Sequence, residues 1–516
     1  MKKDALAILL LLVLECMLYF MTLRGIPGNV EPEDLQGVLS FPGQPFELPA
    51  ERSRFVHTMA LAEQHTYALD ARLGEALGPQ VREEDGKHYG LYANGIAFFA
   101  VPLYSVGKYF QVSQVLAFSV AALFGIAAAL MLYLVARNIF GMPLPFALFS
   151  VLVFSFGTPA WNYATTLYPY TATVFFLLAA FYAAWRYQQR SSPWLWAGVV
   201  WLSFGMVIWV DPQASLLILP ILIYFFRNSF SSEASGGGIH STVDLRGLVT
   251  GLLFFGLVAG GLHFWPDAAF VVTRTGEEIA DYRYPTVERF SHKPRIEPGA
   301  TIATTSHEPP KLWHEDNLPG GFLPFFFSVS RGWFVYAPVL LFGFLGIAAA
   351  FRRSVTKEHW TLIGIVLINL FLSVSFSNPV GGWSYGPKLL IPAGAILALF
   401  GGIFLVSIAR NFWRRLIVWI AFLFSAGVAL LGSLTTNAIP PAAETGSIGL
   451  SYNFLRSVNF LLSGQSSSFF FNFLLPAGYV TLVEFFLILF SLLAILSLII
   501  LFWLPHTRYA SPSHIQ

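Results

Sequence analysis

Two acidic clusters and two basic-aromatic runs hold the residues best suited to chemistry in this sequence. The first cluster, NVEPEDLQ, carries Glu31, Glu33 and Asp34. The second begins at Glu51 in PAERSRFVHTMALAEQHTYALD, with Arg54 just after it. That segment has helical spacing, with Phe55, Met59 and Ala62 along one side. It predicts a helix lying along a membrane interface, with Glu51 and Arg54 at its start. A carboxylate there can take a proton from a hydroxyl. The plainer reading of Glu51 is an acid at a helix start, where the helix dipole favours negative charge. The basic-aromatic runs are DGKHYG, with Lys87, His88 and Tyr89, and GGWSYGPK, with Trp383, Tyr385 and Lys388. Lysines at a membrane surface can neutralise a phosphate, and aromatic rings can stack on a sugar. The plainer reading is that Trp and Tyr form the ordinary aromatic belt and Lys extends its charge toward water. No His/Cys cluster has zinc-ligand spacing, and no phosphate-binding GxxxxGK[ST] occurs.

The elements that must position these residues are membrane helices. Of 516 residues, 56% are hydrophobic and only 11% charged, with a mean hydropathy of +0.63. A soluble domain carries roughly 25% charged residues, so lipid must be the solvent for much of this chain. A formal net charge of +2 argues against a nucleic-acid partner. The single cysteine, Cys16, excludes an intramolecular disulfide and reads as packing. The opening segment MKKDALAILLLLVLECMLYFMTLRG has no small-residue cleavage site and reads as a retained first helix.

Twelve stretches approach the roughly 20 apolar residues that a membrane helix needs. They are Ala5–Leu23, Ser113–Ala136, Met142–Phe156, Thr171–Trp185, Trp194–Val210, Ala214–Phe226, Leu248–Phe264, Trp333–Phe351, Trp360–Phe376, Leu389–Ile408, Leu416–Leu434 and Tyr479–Leu504. Ile96–Tyr104 is expected to dip into the interface. Alternate connections hold the basic residues, among them Arg137, Arg186, Arg227, Arg352 and Arg414. The positive-inside rule then puts both termini in the cytoplasm of a multi-pass cell-membrane protein. Three long connections face outward: 24–112, which holds the candidate acids, 265–332 and 435–473. The glycine-rich SSEASGGGIHS, on the inner side, reads as a flexible linker. Glu15 and Glu484 lie inside apolar runs and are expected to make helix–helix hydrogen bonds. Polar groups otherwise gather at the outer helix ends, at Asp211, in the 157–170 turn, and at Arg331. The expected fold is one all-α polytopic membrane domain, 1–516, of about twelve transmembrane helices with a small extracytoplasmic cap.

Four segments resemble the GT-C superfamily of membrane glycosyltransferases, in particular bacterial and archaeal proteins akin to dolichyl-phosphate-mannose–protein mannosyltransferases. They are ERSRFVHTMALAEQHTYALD (51–70), DGKHYGLYANGIAFFAVPLY (85–104), FGTPAWNYATTLYPY (156–170), and SRGWFVYAPVL (330–340) taken with GGWSYGPKLLIPA (381–393). Their order and spacing follow the family over most of the chain. The departures are Ala93-Asn94-Gly95 where the family has Pro-Pro-Gly, His65 where it has Gly, and Lys388 where it has Arg. Pro169 or Tyr170 stands where many relatives have His. Lysine keeps the positive charge but loses the bidentate fork.

The resemblance implies a donor made of a sugar on a polyprenyl phosphate, and an acceptor in the cell envelope that is a protein, a lipid or a polysaccharide. It implies attack on the anomeric carbon with inversion, assisted by an outer-loop carboxylate. By motif position Glu51 is the base and Asp34 the reserve. Arg54 orients the base, and Lys87, Arg331 and Lys388 face the phosphate. Tyr89, Trp383 and Tyr385 contact sugar or acceptor, with His88 and Asn94 beside them. Some relatives bind a divalent metal and others none. A transporter or flippase of lipid-linked sugars, and a non-catalytic scaffold of the same fold, stay open as other readings.

Overall fold

The computed structural model describes residues 2–36, 45–77, 81–84, 86–90, 92, 95–189, 192–227, 230–235, 238–243, 245–264, 325–328, 332–353, 355–375, 384–439 and 454–503. The chain is an all-α membrane bundle, because in lipid each backbone polar group must find its partner within the chain. The helices are α1 (Lys2–Thr22), α2 (Pro49–Met59), α3 (Ala71–Leu77), α4 (Gly95–Tyr109), α5 (Ser113–Leu134), α6 (Leu144–Phe156), α7 (Ala160–Ala164), α8 (Tyr170–Gln188) and α9 (Pro193–Val210). They continue with α10 (Leu219–Arg227), α11 (Arg246–Phe264), α12 (Leu341–Arg353), α13 (Lys357–Ser375), α14 (Ile391–Ser407), α15 (Phe412–Leu434), α16 (Phe454–Leu462) and α17 (Leu482–Leu498).

Within the described residues each of the twelve expected stretches contains helix, but they are not twelve equal crossings. Among the described residues seven helices are long and apolar enough to span: Ala5–Thr22, Ser113–Ile139, Pro193–Val210, Lys357–Ser375, Lys388–Ser407, Phe412–Leu434 and Leu482–Phe502. Leu144–Phe156, Pro212–Arg227, Arg246–Leu257 and Pro338–Arg352 are apolar but shorter. A 13-residue helix such as α6 reaches only about 20 Å, against a hydrocarbon core of about 30 Å.

The bundle packs α8 against α9 and α5, α5 against α4, α14 against α12 and α6, and α15 against α17. The α12–α14 contact is backbone on backbone. A Cβ at Gly343 would stand 2.5 Å from the Leu397 carbonyl oxygen, and one at Gly346 would collide with the Phe400 carbonyl. Small residues are what let membrane helices approach this closely. Glu15 of α1 accepts a hydrogen bond from the Ser155 hydroxyl of α6 at 2.6 Å, the interhelical bond expected of it. Glu484 differs from expectation. It is exposed at the start of α17, where it accepts from the Thr481 N–H at 2.7 Å while the Thr481 hydroxyl accepts from the Glu484 N–H at 3.2 Å. This reciprocal cap satisfies two helix-start donors.

Two further expectations are corrected. The glycine-rich segment expected on the inner side as a flexible linker is an antiparallel hairpin, Phe230–Ser235 with Gly238–Val243, pairing Phe230 with Val243 and Ser235 with Gly238. Helix α2 does not lie along an interface, since every residue from Ser53 to Met59 is buried. It packs against α4 beneath a cap made of α3 and a second hairpin, β1 (Val81–Glu84) with β2 (Lys87–Gly90). The connection 265–332 lies outside the described residues apart from 325–328 and Gly332.

Among the described residues, contacts gather connecting segments into two groups. At one end Lys357 reaches Gln188 at 2.6 Å, and the Tyr224 hydroxyl donates to Glu358 at 2.8 Å. The other end gathers Arg24, the 158–170 turn, Asp211, Tyr385 and the 435–439 segment, and it holds the candidate site.

Candidate active site

Helix α2 starts at Leu48-Pro49, and proline suits a first helical turn because the N–H it lacks has no partner there. Three residues past the cap, the Glu51 carboxylate turns back and accepts the Leu48 N–H at 3.1 Å and the Glu47 N–H. Its other oxygen accepts the Thr166 hydroxyl at 2.5 Å. Glu51 is thus both a helix-start acid and a buried carboxyl, only 1% exposed. Burial, then the neighbouring Glu47 charge, push it up to about 7 against the opposing pull of Thr166 and Arg24. A carboxyl poised near neutrality is suited to proton transfer.

Glu47 is itself a hub. It forms a buried ion pair with Arg24, which also donates to the Gly432 carbonyl at 2.8 Å. It accepts the Asn437 N–H at 2.6 Å and the Ser467 hydroxyl. Arg24 after α1, Asn437 and Ser467 therefore meet on one carboxylate of the first loop.

One turn beyond Glu51 the Arg54 guanidinium lies over the Tyr168 ring, 4.8 Å from its centre. The Lys388 ammonium sits 6.0 Å from the same ring centre. Tyr168 is held by its neighbours Tyr163 and Tyr170, with ring centres 5.0 and 5.7 Å away. Lys388 is placed by Tyr385, whose N–H donates to the Tyr163 hydroxyl at 3.0 Å and whose own hydroxyl donates to Val428 at 2.6 Å. Asp211, where the chain breaks between α9 and the next helical segment, accepts the Thr173 hydroxyl at 3.2 Å. Burial raises it to about 6, with Thr173 and Arg54 pulling the other way. Two cations on one ring, beside two buried carboxyls, form a site able to hold an anionic group. A small apolar void, too small for a lipid chain, lies between α8, α13 and α14, lined by Val174, Phe181, Ile365, Pro392 and Ile396. Val174 and Pro392 each stand one turn past Tyr170 and Lys388.

The far wall is fixed by His57. Its Nδ1 donates to the Tyr67 carbonyl at 3.1 Å and its Nε2 accepts the Gly90 N–H at 3.1 Å, so the ring is neutral. Burial holds it down at about 3. The hairpin approaches α2 so closely that a Cβ at Gly90 would stand 2.7 Å from His57 Nε2 and collide with the Ser53 hydroxyl. Tyr89 is buried in this wall with Tyr67 and Ala68, against Phe98 and Trp209.

Of the residues expected in the site, Glu51, Arg54 and Lys388 come together, with Tyr385 behind them. Tyr385 does not present its hydroxyl for a sugar, because that group is spent on Val428 and the ring is fully buried. Asp34 is exposed and accepts the Glu31 N–H at 2.9 Å, a local turn contact outside the cluster. Lys87 is exposed beside the hairpin turn, and the His88 ring packs over Gly74 of α3. Asn94, Arg331 and Trp383 lie outside the described residues. Sequence reasoning gave no role to Glu47, Arg24, His57, Thr166 or Tyr168. The usable signals were Glu47 one helical turn before Glu51, and the polar density of NYATTLYPY.

Residues 105–239 match the family model for dolichyl-phosphate-mannose-protein mannosyltransferase. The matched segment carries Thr166, Tyr168 and Asp211, while Glu51, Arg54 and Lys388 lie outside it. The resemblance drawn from the motifs is borne out as a similarity: about a quarter of the chain, 105–239, is similar to this mannosyltransferase family. Solved structures with a similar course include ArnT from Cupriavidus metallidurans bound to undecaprenyl phosphate, at 14% identity and TM-score 0.45, covering 94% of this chain and 77% of that one. Another is the archaeal oligosaccharyltransferase AglB from Archaeoglobus fulgidus, in complex with an inhibitory peptide and a dolichol-phosphate. It shows 10% identity and TM-score 0.44, covering 83% of this chain and 56% of that one, so this chain spans little more than half its length. Among curated proteins none matches the sequence.

A divalent ion fits this donor set poorly. Among the described residues no three His, Cys, Asp or Glu side chains come together. Both Glu47 oxygens already accept from Arg24, Asn437 and Ser467.

Proposed function

We propose that this chain is a glycosyltransferase that moves a sugar from a polyprenyl-phosphate carrier to an acceptor hydroxyl on the extracytoplasmic face of the cell membrane. The observation that carries the reading is the convergence of Arg54 and Lys388 on Tyr168, beside buried Glu51. The family-model match over residues 105–239 supports the class of donor. The grouping of basic connections at the opposite end of the bundle supports cytoplasmic termini and an outward-facing site.

In this mechanism the carrier's tail stays in the surrounding lipid and its phosphate lies against Arg54 and Lys388. An acceptor hydroxyl takes the place of the Thr166 hydroxyl on Glu51. Glu51 removes the acceptor's proton as its oxygen attacks the anomeric carbon from the face opposite the phosphate. The bond from that carbon to the phosphate oxygen breaks, the configuration inverts, and the polyprenyl phosphate leaves with the extra negative charge. Arg54 and Lys388 stabilise that charge as it develops. The acceptor belongs to the envelope, as a protein, a lipid or a polysaccharide.

The test is transfer from a panel of radiolabelled polyprenyl-phosphate hexoses, the mannosyl form first, into envelope material from a strain lacking the protein. Wild type should transfer label, and Glu51→Gln should stay folded and lose at least about 100-fold. Transfer from no member of the panel overturns the reading. Full activity of Glu51→Gln removes Glu51 as the base.

A further inference from the structure

We propose that Glu47 is a positioning residue for Glu51: clamped by Arg24, Asn437 and Ser467, it fixes the turn that aims the Glu51 carboxyl and couples the first loop to Asn437 and Ser467. This rests on Glu51 being the base. Three observations carry it. The Glu47 N–H donates to the Glu51 oxygen that does not face Thr166, so any shift of residue 47 moves Glu51. The Glu47 side chain is 3% exposed and held from three separate parts of the chain, at residues 24, 437 and 467. The two carboxyls share one desolvated space, where their charges act on each other at low dielectric.

The groups facing Glu51 are few. Glu47 comes from the preceding turn and Arg24 from the end of α1. Thr166 and Tyr168 come from the 158–170 segment. Arg54 follows on α2 and is itself faced by Asp211. Glu47 is the carboxylate among these that acts directly on Glu51, and Arg24 is the cation that acts directly on it. Removing either charge must therefore move the Glu51 proton in opposite directions. A merely structural clamp has no such sign.

The experiment reads that proton in the full chain, in detergent, by pH-difference infrared spectroscopy. The Glu51 band is assigned as the protonated-carboxyl signal lost in Glu51→Gln, so the readout needs no transfer activity. Wild type should titrate near 7. Glu47→Gln should lower the midpoint by about one pH unit or more, Arg24→Gln should raise it, and Glu47→Asp should restore it toward wild type. An unchanged midpoint in Glu47→Gln, or shifts of the same sign in the two charge variants, overturns the proposal. If Glu47→Gln does not accumulate, Arg24→Gln alone decides: a rise supports the proposal and no rise refutes it. Opposite shifts in a protein that transfers no sugar would leave the coupling intact and sink only the transferase reading.

Discussion

Acid should loosen the cap over the site through one residue, His57. Its ring is buried and neutral, bridging the Tyr67 carbonyl and the Gly90 N–H. It takes a proton from pH 6.5 downward in the unfolded chain but only at about 3 in the folded one. Below 6.5 the open state therefore binds more protons, and stability falls with pH at about 1.4 kcal/mol per unit. By pH 4.5 the cost is about 2.7 kcal/mol, a roughly 100-fold rise in opening of the His57 contacts. Glu51 has the opposite sign. Its folded value of about 7 lies above the ordinary 4.5, so falling pH stabilises the fold through that window. Comparing wild type with His57→Gln cancels the Glu51 contribution. The assay is hydrogen exchange of peptides covering residues 67–90, as the ratio of wild type to variant at pH 7.5 and 4.5. The ratio should rise about 100-fold on acidification. A constant ratio would refute a neutral, buried His57 as the pin between hairpin and helix.

Gly90→Ala should displace the hairpin at a cost of about 1–3 kcal/mol, read as a lower melting temperature and faster exchange at residues 81–90, because its Cβ meets His57 and Ser53. Tyr168→Leu should raise KM for the donor several-fold, since both cations lose the ring that holds them. Lys388→Arg should keep transfer within a few-fold of wild type, and Lys388→Met should lose far more, measured as kcat/KM. Transfer in wild type should rise with pH through about 7, because a base works only once deprotonated.

Much of the architecture was legible because lipid leaves few options. Apolar runs near 20 residues must be helices, and the basic connections mark one end. The number of true crossings was not legible, since α6 and α10 show the same composition as a span and differ only in length. Glu51, Arg54 and Lys388 were legible as charges beside apolar runs. Glu47 and Arg24 were not, because their roles come from Asn437 and Ser467, about 400 residues away in sequence. His57 read as one side chain on an amphipathic helix, and only the docking of Gly90 shows what it holds. The glycine-rich segment misled because composition does not reveal the β3–β4 pairing, where β3 is Phe230–Ser235 and β4 is Gly238–Val243.

The most direct test of the central claim is a structure of the protein with a polyprenyl phosphate bound. The phosphate oxygens should lie within about 3 Å of nitrogens on both Arg54 and Lys388. A phosphate held elsewhere, with Arg54 and Lys388 still parked on Tyr168, would contradict the account.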